Sequence, residues 1–409
     1  MNDASQIAEA GQWLARSGGA GPTALDHRID LSAPGQGSDS SSLLHAKHQL
    51  LMRGYQARYV LLPGGAYSGS ILDHLRDHYD AGEMAKLDAL RRDLERELIA
   101  PKTEDAIVAA AGSDLAAYAE TLVAEFRNSE ENPFTAYLRG QSHREHHYRD
   151  FLLQSSADLL AEASASALGV VGSFGPPQSA LFRILIDEFG YGAHGQKHSV
   201  LYQAVMRSFD LDDEYNAYWP LFDTAALDLH NTIHYLFQNP RNFFLQVGFL
   251  LFAETAYQRS TADHFRYLRE FHPQSDARYF GEHAHIDLHH TRMIIDEVAL
   301  PLVAAYGEEV GSEIVAGAEL TRAAFASAGQ HLLNVSKAFA AAAADGQAVY
   351  RKPETRPLSP GLTPEMAADW RDGPVAIQVG GLGVVTSAAV FATFPKGACG
   401  RTVQVETWR

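Results

Sequence analysis

The chain has one cysteine, Cys399, among 409 residues. A single thiol excludes a disulfide framework, a zinc site built on several thiolates and an iron–sulfur cluster held by cysteines of this chain. It fits a reducing cytoplasm. Positive charge is also scarce. There are 33 Lys and Arg against 50 Asp and Glu, a formal net charge of −17. Such a surface repels phosphate, so nucleic acid is not an expected partner. Long apolar runs are missing too. The stretch around "VGFLLFA" (247–253) is far too short to span a bilayer, so no membrane is expected. The opening "MNDASQIAEAGQWLARSGG" lacks a basic start followed by an apolar run, so no signal peptide is expected. We find no internal repeat, phosphate-cradling glycine loop or nucleophile motif.

What is present is helical periodicity. Residues 1–42, rich in Gly, Ser and Pro, read as a flexible arm. From Leu43 to about Gly346 apolar residues recur every three or four. We expect helices over 70–100, 104–127, 135–168, 178–190, 196–208, 221–238, 241–258, 261–271, 278–306 and 309–344. Composition shifts after Gly346. Residues 347–373 read as a linker, and 374–409, rich in Val, Gly and Thr, as a short β-rich tail. The expected architecture is an all-α bundle with a small β appendage.

The densest chemistry lies in "YFGEHAHIDLHHT" (279–291). At 100° per residue, His283, Asp287 and His290 fall at roughly 0°, 40° and −20° on the helix wheel. His285 and His289 fall on the opposite side. Two imidazoles and a carboxylate on one stripe suit a divalent transition metal. "HAHIDLHH" also resembles the His-x-His-x-Asp-His signature of metallo-β-lactamase-like hydrolases. It carries one residue too many, however, and its flanks read helical rather than strand-to-loop. A solvated polar face is the third reading.

A triad cannot complete a metal site, so other helices should offer inward-facing acids. Glu162 sits among Ala161, Ala163, Ser164, Ala165 and Ser166, small side chains that leave room for a metal or substrate. Asp158, one turn earlier, is a candidate neighbour of the metal or contact for a cationic substrate. Glu188 ends an apolar approach and is followed by Gly190, Gly192 and Gly195. These glycines break the helix, so His198 can open a new segment and turn back toward Glu188. His194 competes for that role but sits among the glycines. Glu254 lies in "NFFLQVGFLLFAETAY" (242–257), apolar nearly all round, as a buried helix is. A buried carboxylate there needs a cation. Glu162, Glu188, Glu254 and Asp287 bring four negative charges, which two ferrous ions balance. The usual Glu-x-x-His bundle signature is missing. His230 and His234 could touch a metal or simply pack, and "HREHH" (143–147) reads as a solvated face.

In this order the residues resemble the haem-oxygenase-like diiron oxidases, also called iron-containing redox enzymes. Glu162, Glu188-x₉-His198 and His283-x₃-Asp287-x₂-His290 match the family pattern, and "DEFGYG" and "EHAHIDLHH" look typical of it. Glu254 matches an extra glutamate ligand of N-oxygenating members, among them the nitrosourea-forming enzyme of streptozotocin biosynthesis and aminoimidazole N-oxygenases. The resemblance implies a haem-oxygenase-like domain over 111–346 holding two iron ions. It implies O₂ as co-substrate, an external electron donor and oxidation of a small-molecule amine or guanidine nitrogen through a peroxo-diferric intermediate. It also implies an N-terminal helical segment, 43–110, that supports a homodimer. Oxidative C–C cleavage or desaturation by the same fold, or a non-catalytic metal-binding protein, are the alternatives. The tail is too short for the cupin domain of the nitrosourea-forming enzyme, and Cys399 alone cannot hold the iron–sulfur cluster of other relatives.

Overall fold

Local chemistry sets many of the helix starts in the computed structural model, which describes residues 40–60, 70–215, 217–218, 221–344, 351–353 and 405–407. Asp114, Asn132 and Asp223 each accept backbone N–H groups of the first turn that follows them. Pro133, directly after Asn132, occupies the first helical position, where its missing N–H costs nothing. The helices are α1 Ser40–Gln56, α2 Ile71–His78, α3 Ala81–Leu98, α4 Ala100–Ala110, α5 Leu115–Arg127, α6 Pro133–Arg139, α7 Arg144–Leu159 and α8 Glu162–Gly169. They continue as α9 Pro176–Glu188, α10 His198–Ser208, α11 Thr224–Gln238, α12 Phe243–Phe271, α13 Arg278–Met293, α14 Leu300–Tyr306 and α15 Glu308–Ala344.

The frame of the bundle is α12 against α15 and α13. Gly248 and Gly317 let the α12 and α15 backbones meet. A Cβ on Gly248 would lie 1.9 Å from the Ile314 carbonyl oxygen, and one on Gly317 2.0 Å from that of Leu245. Leu245, Leu251, Ile294, Val298 and Ile314 fill one apolar core here. A second core of Tyr148, Leu152, Tyr202, Tyr267 and Phe280 joins α7, α10, α12 and α13. Helix α1 packs on α11 and α4 on α15, so the N-terminal helices share the first core. Between α13 and α14, Ile294–Ala299 widens into a π-helical turn. Pro301 explains it, since it has no N–H for the carbonyl four residues back.

Several boundaries differ from expectation, and the helices expected over 70–100 and 104–127 are each interrupted, at Tyr79–Asp80 and at Ala111–Asp114. The helix expected over 135–168 is three helices, and a turn at Leu160–Ala161 places Glu162 in the first turn of α8. Asp158 and Glu162 therefore do not share one continuous helix. The segments 241–258 and 261–271 are one helix, α12, because nothing in "QRST" breaks it. The first helix starts at Ser40, inside the expected arm. Arg351–Pro353, in the expected linker, pairs antiparallel with Val405–Thr407 of the expected tail. The rest of the expected linker and β-rich tail, and residues 1–39 of the arm, lie outside the described residues. No single helix among the described residues is long and apolar enough to cross a membrane.

Candidate metal centre

Helix ends supply three of the seven side chains of the site. Glu162 opens α8, Glu188 closes α9 and His198 opens α10. The chain reverses between Glu188 and His198 through two short 3₁₀ turns. Gly190, at φ 62°, makes this possible, because a Cβ there would lie 2.4 Å from the Gln196 carbonyl carbon. The reversal brings His198 Nδ1 to 2.6 Å from Glu188 Oε2. Helix α13 presents His283, Asp287 and His290 inward, all buried, and turns His285 and His289 to solvent. Helix α12 contributes Glu254.

These side chains form two groups whose candidate ligand atoms lie within 4.8 Å of one another. One is Glu162, Glu188, His198 and His283; the other is Glu188, Glu254 and His290. Glu188 belongs to both. Its Oε2 faces His198, while its Oε1 lies 3.8 Å from His290 Nδ1. Glu254 Oε2 is 3.2 Å from that same nitrogen. Asp287 lies outside the two groups but against them, with Oδ1 3.8 Å from His290 Nδ1. It is fully buried, and neither oxygen finds a hydrogen-bond donor.

The ring nitrogens are assigned by their outer partners. His283 Nδ1 faces the Tyr279 carbonyl at 2.9 Å, leaving Nε2 toward Glu162 and His198. His290 Nε2 meets Asp187 Oδ2 at 3.0 Å, leaving Nδ1 toward Glu188 and Glu254. This is the carboxylate–histidine arrangement that orients metal-ligating imidazoles.

The electrostatics are strained without a cation. Burial, then the charges of Glu188 and Asp158, push Glu162 well above the ordinary carboxylate range. Burial does the same to Asp287, reinforced by Glu254, Glu188 and Glu162. Burial would also raise Glu188, but His198, His283 and His290 reverse it and hold it at about 2. His290 is pushed up to about 9, the carboxylates Glu254 and Glu188 outweighing its burial. Glu162 Oε1 and both Asp287 oxygens are buried without a hydrogen bond. Four carboxylates and three imidazoles converging this way fit two divalent ions, and the oxygen-rich donor set suits iron or manganese.

The comparisons agree with this chemistry. Residues 149–326 match the family described as iron-containing redox enzymes. The chain thus carries a domain similar to that family. It is also 34% identical, over 303 residues, to a nitrosourea synthase of Streptomyces achromogenes subsp. streptozoticus. That alignment covers 73% of this chain and 64% of the relative, so the chain spans less than two thirds of the relative's length. The matched segment contains every residue of both ligand groups.

Within the matched domain the structure also corrects some expectations. His194 is exposed on its 3₁₀ turn and takes no part in the site, because the reversal turns it outward. His230 is fully buried but belongs to neither group. Its ring packs on His234 at 4.0 Å, with no carboxylate ligand beside it. His147, expected in a solvated face, is buried. Two functional residues escaped the sequence reading. Asp187 was hidden beside the more obvious Glu188, and Tyr279, whose hydroxyl donates to Glu162 Oε2 at 2.9 Å, read as an aromatic core residue. Helical spacing could have found Tyr279, one turn before His283.

Proposed function

We propose that the protein is an O₂-dependent N-oxygenase that uses two iron ions to oxidise an amine- or guanidine-type nitrogen of a small molecule, with electrons from an external donor. The observation that carries this reading is Glu188, shared between two ligand groups that border one cavity. When bound, the iron pair would supply O₂ reduction coupled to substrate oxidation. Glu162, Glu188, His198 and His283 would hold one ion. Glu188, Glu254 and His290 would hold the other, with Asp287 beside it as a further donor.

This chain's residues do the rest. The cavity, about 60 Å³, is walled by Leu181, Ile184, Leu185, Phe237, Phe249 and Leu250, and opens onto Glu162, Glu188, Glu254 and His283. An apolar wall excludes bulk water from the reacting nitrogen and strengthens local electrostatics. Asp158 also lines the cavity. Burial pushes it up to about 7, and its Oδ1 has no hydrogen-bond partner. It is placed to hold the cationic part of an amine or guanidine, or to accept its proton before nitrogen is oxidised. A nitrosourea carries oxygen on nitrogen, and the relative's name supports the same reaction class here. Iron-loaded protein supplied with a reductant, ¹⁸O₂ and a panel of amines and guanidines tests the reading. The expected result is label bound to nitrogen. Oxidative C–C cleavage or desaturation with unlabelled nitrogen would overturn it.

A further inference from the structure

The cavity beside the metal centre has a direction. Each helix that brings a carboxylate to its wall turns apolar as it leaves the ligands. Along α8 the lining residues are Glu162, then Ser166, then Val170 just past its end. Along α9, followed back from its end, they are Glu188, then Leu185 and Ile184, then Leu181. Along α12, also followed backward, Tyr257 and Glu254 give way to Leu250 and Phe249.

The apolar ends of these stripes lie together. Gln246 of α12 donates to the Gly169 carbonyl at the end of α8, at 3.2 Å. Phe249 meets Phe237 of α11 at 5.1 Å between ring centroids. The loop between α8 and α9 closes this end. Its Phe174 packs on Phe243 at 4.7 Å, and the Gln178 amide donates to the Val170 and Gly172 carbonyls. Eight residues of helical rise separate Glu162 from Val170, roughly 12 Å. The volume of about 60 Å³ is room for about four or five waters. Drawn out over that length, it is a slim channel and not a round chamber.

Polar groups gather at the metal end. Asp158 is buried, lines the channel and leaves Oδ1 without a hydrogen-bond partner. The Ser166 hydroxyl is turned back onto the Glu162 carbonyl. Beyond that turn every described lining residue is apolar, and no described Lys or Arg lines the channel. A cation at the metal end therefore meets Asp158. A carboxylate carried further along would be buried against Leu and Phe side chains without a partner, at a large cost. An apolar body in the same place gains by leaving water.

We propose that the substrate is an amphiphilic amine or guanidine: one cationic head, a slim apolar body along the channel, and no carboxylate. This rests on the N-oxygenase reading above, which puts the reacting nitrogen at the metal end.

The test is calorimetric titration of the iron-loaded protein, kept free of O₂, with unbranched primary amines from propylamine to dodecylamine. Affinity should rise about three- to fourfold per added methylene. The rise should stop once the chain outruns the roughly 12 Å of channel. Octylamine should bind at least about 100-fold more tightly than 8-aminooctanoate, which differs only by a carboxylate at the far end. Octanoate, with the opposite charge at its head, should not displace octylamine. Ile184→Phe fills the channel midway and should bring the plateau to a shorter chain. A flat series, a plateau that Ile184→Phe leaves in place, or binding of 8-aminooctanoate or octanoate equal to that of octylamine would overturn the proposal. Without O₂ these affinities are read whatever happens to nitrogen. A rising series with no ¹⁸O on nitrogen would overturn the N-oxygenase reading and leave the channel. Label on nitrogen with a flat series would do the reverse.

Discussion

Two clusters of buried histidine lie in this bundle, and their surroundings separate them. His198, His283 and His290 face Glu162, Glu188, Glu254 and Asp287. His230 and His234 stack on each other, and His234 Nε2 meets only the Tyr59 hydroxyl, at 2.7 Å. Burial is equal; carboxylates are not. His290 is therefore pushed up to about 9, while burial, with its His234 neighbour, drives His230 well below its ordinary value. A buried imidazole pair is a packing element until acids give it a charge to share. The first cluster accumulates charge that only a cation relieves; the second remains neutral.

The largest effect should come from removing what makes the first cluster a two-ion site. Glu188→Ala should abolish both iron occupancy and activity, read by metal analysis of the purified protein. Two retained ions per chain would break the comparison. Glu254→Ala removes an acid from one group only. It should lower iron content toward one ion and end nitrogen oxidation, read by product analysis. Asp187→Asn leaves every ligand in place but loosens the orientation of His290. Weakening of iron binding by about 10- to 100-fold is expected, measured by competition with a chelator.

A pH titration of the metal-free protein sharpens the contrast, because the clusters titrate in opposite directions. His234 has a folded pKa of about 4, below its unfolded value of 6.5. Its contribution to stability is present above 6.5 and is lost as pH falls toward 4. His290, raised to about 9, contributes fully below 6.5 and loses that contribution as pH rises through 9. Denaturation midpoints of His234→Leu and His290→Leu against pH should shift on opposite flanks of the profile. The smallest effect is expected for His230→Leu. Its ring meets no carboxylate and lies outside both ligand groups, so iron content should be unchanged and the thermal midpoint should move little.

Much of the site was legible because helical register is local. His283, Asp287 and His290 share a stripe at any helix position, and the structure buries all three while exposing His285 and His289. Glu254 was marked by its apolar helix, and the Gly190–Gly195 break correctly pairs Glu188 with His198. The misses have one cause. Whether α7 runs on into α8, whether His194 or His230 reaches the site, and which atom orients His290 all depend on how separate helices meet. One-dimensional spacing does not encode those distances.

Sequence alone therefore determined the helical character of the bundle, its acidic balance, the thiol-poor chemistry and the identity of the ligand candidates. These follow from periodicity and residue type, which every stretch of chain carries by itself. Tertiary structure decided that Glu188 serves two ligand groups, that Asp187 holds His290, and that Asp158 faces the cavity. Each is a distance between residues far apart in the chain, fixed only when packing brings their helices together.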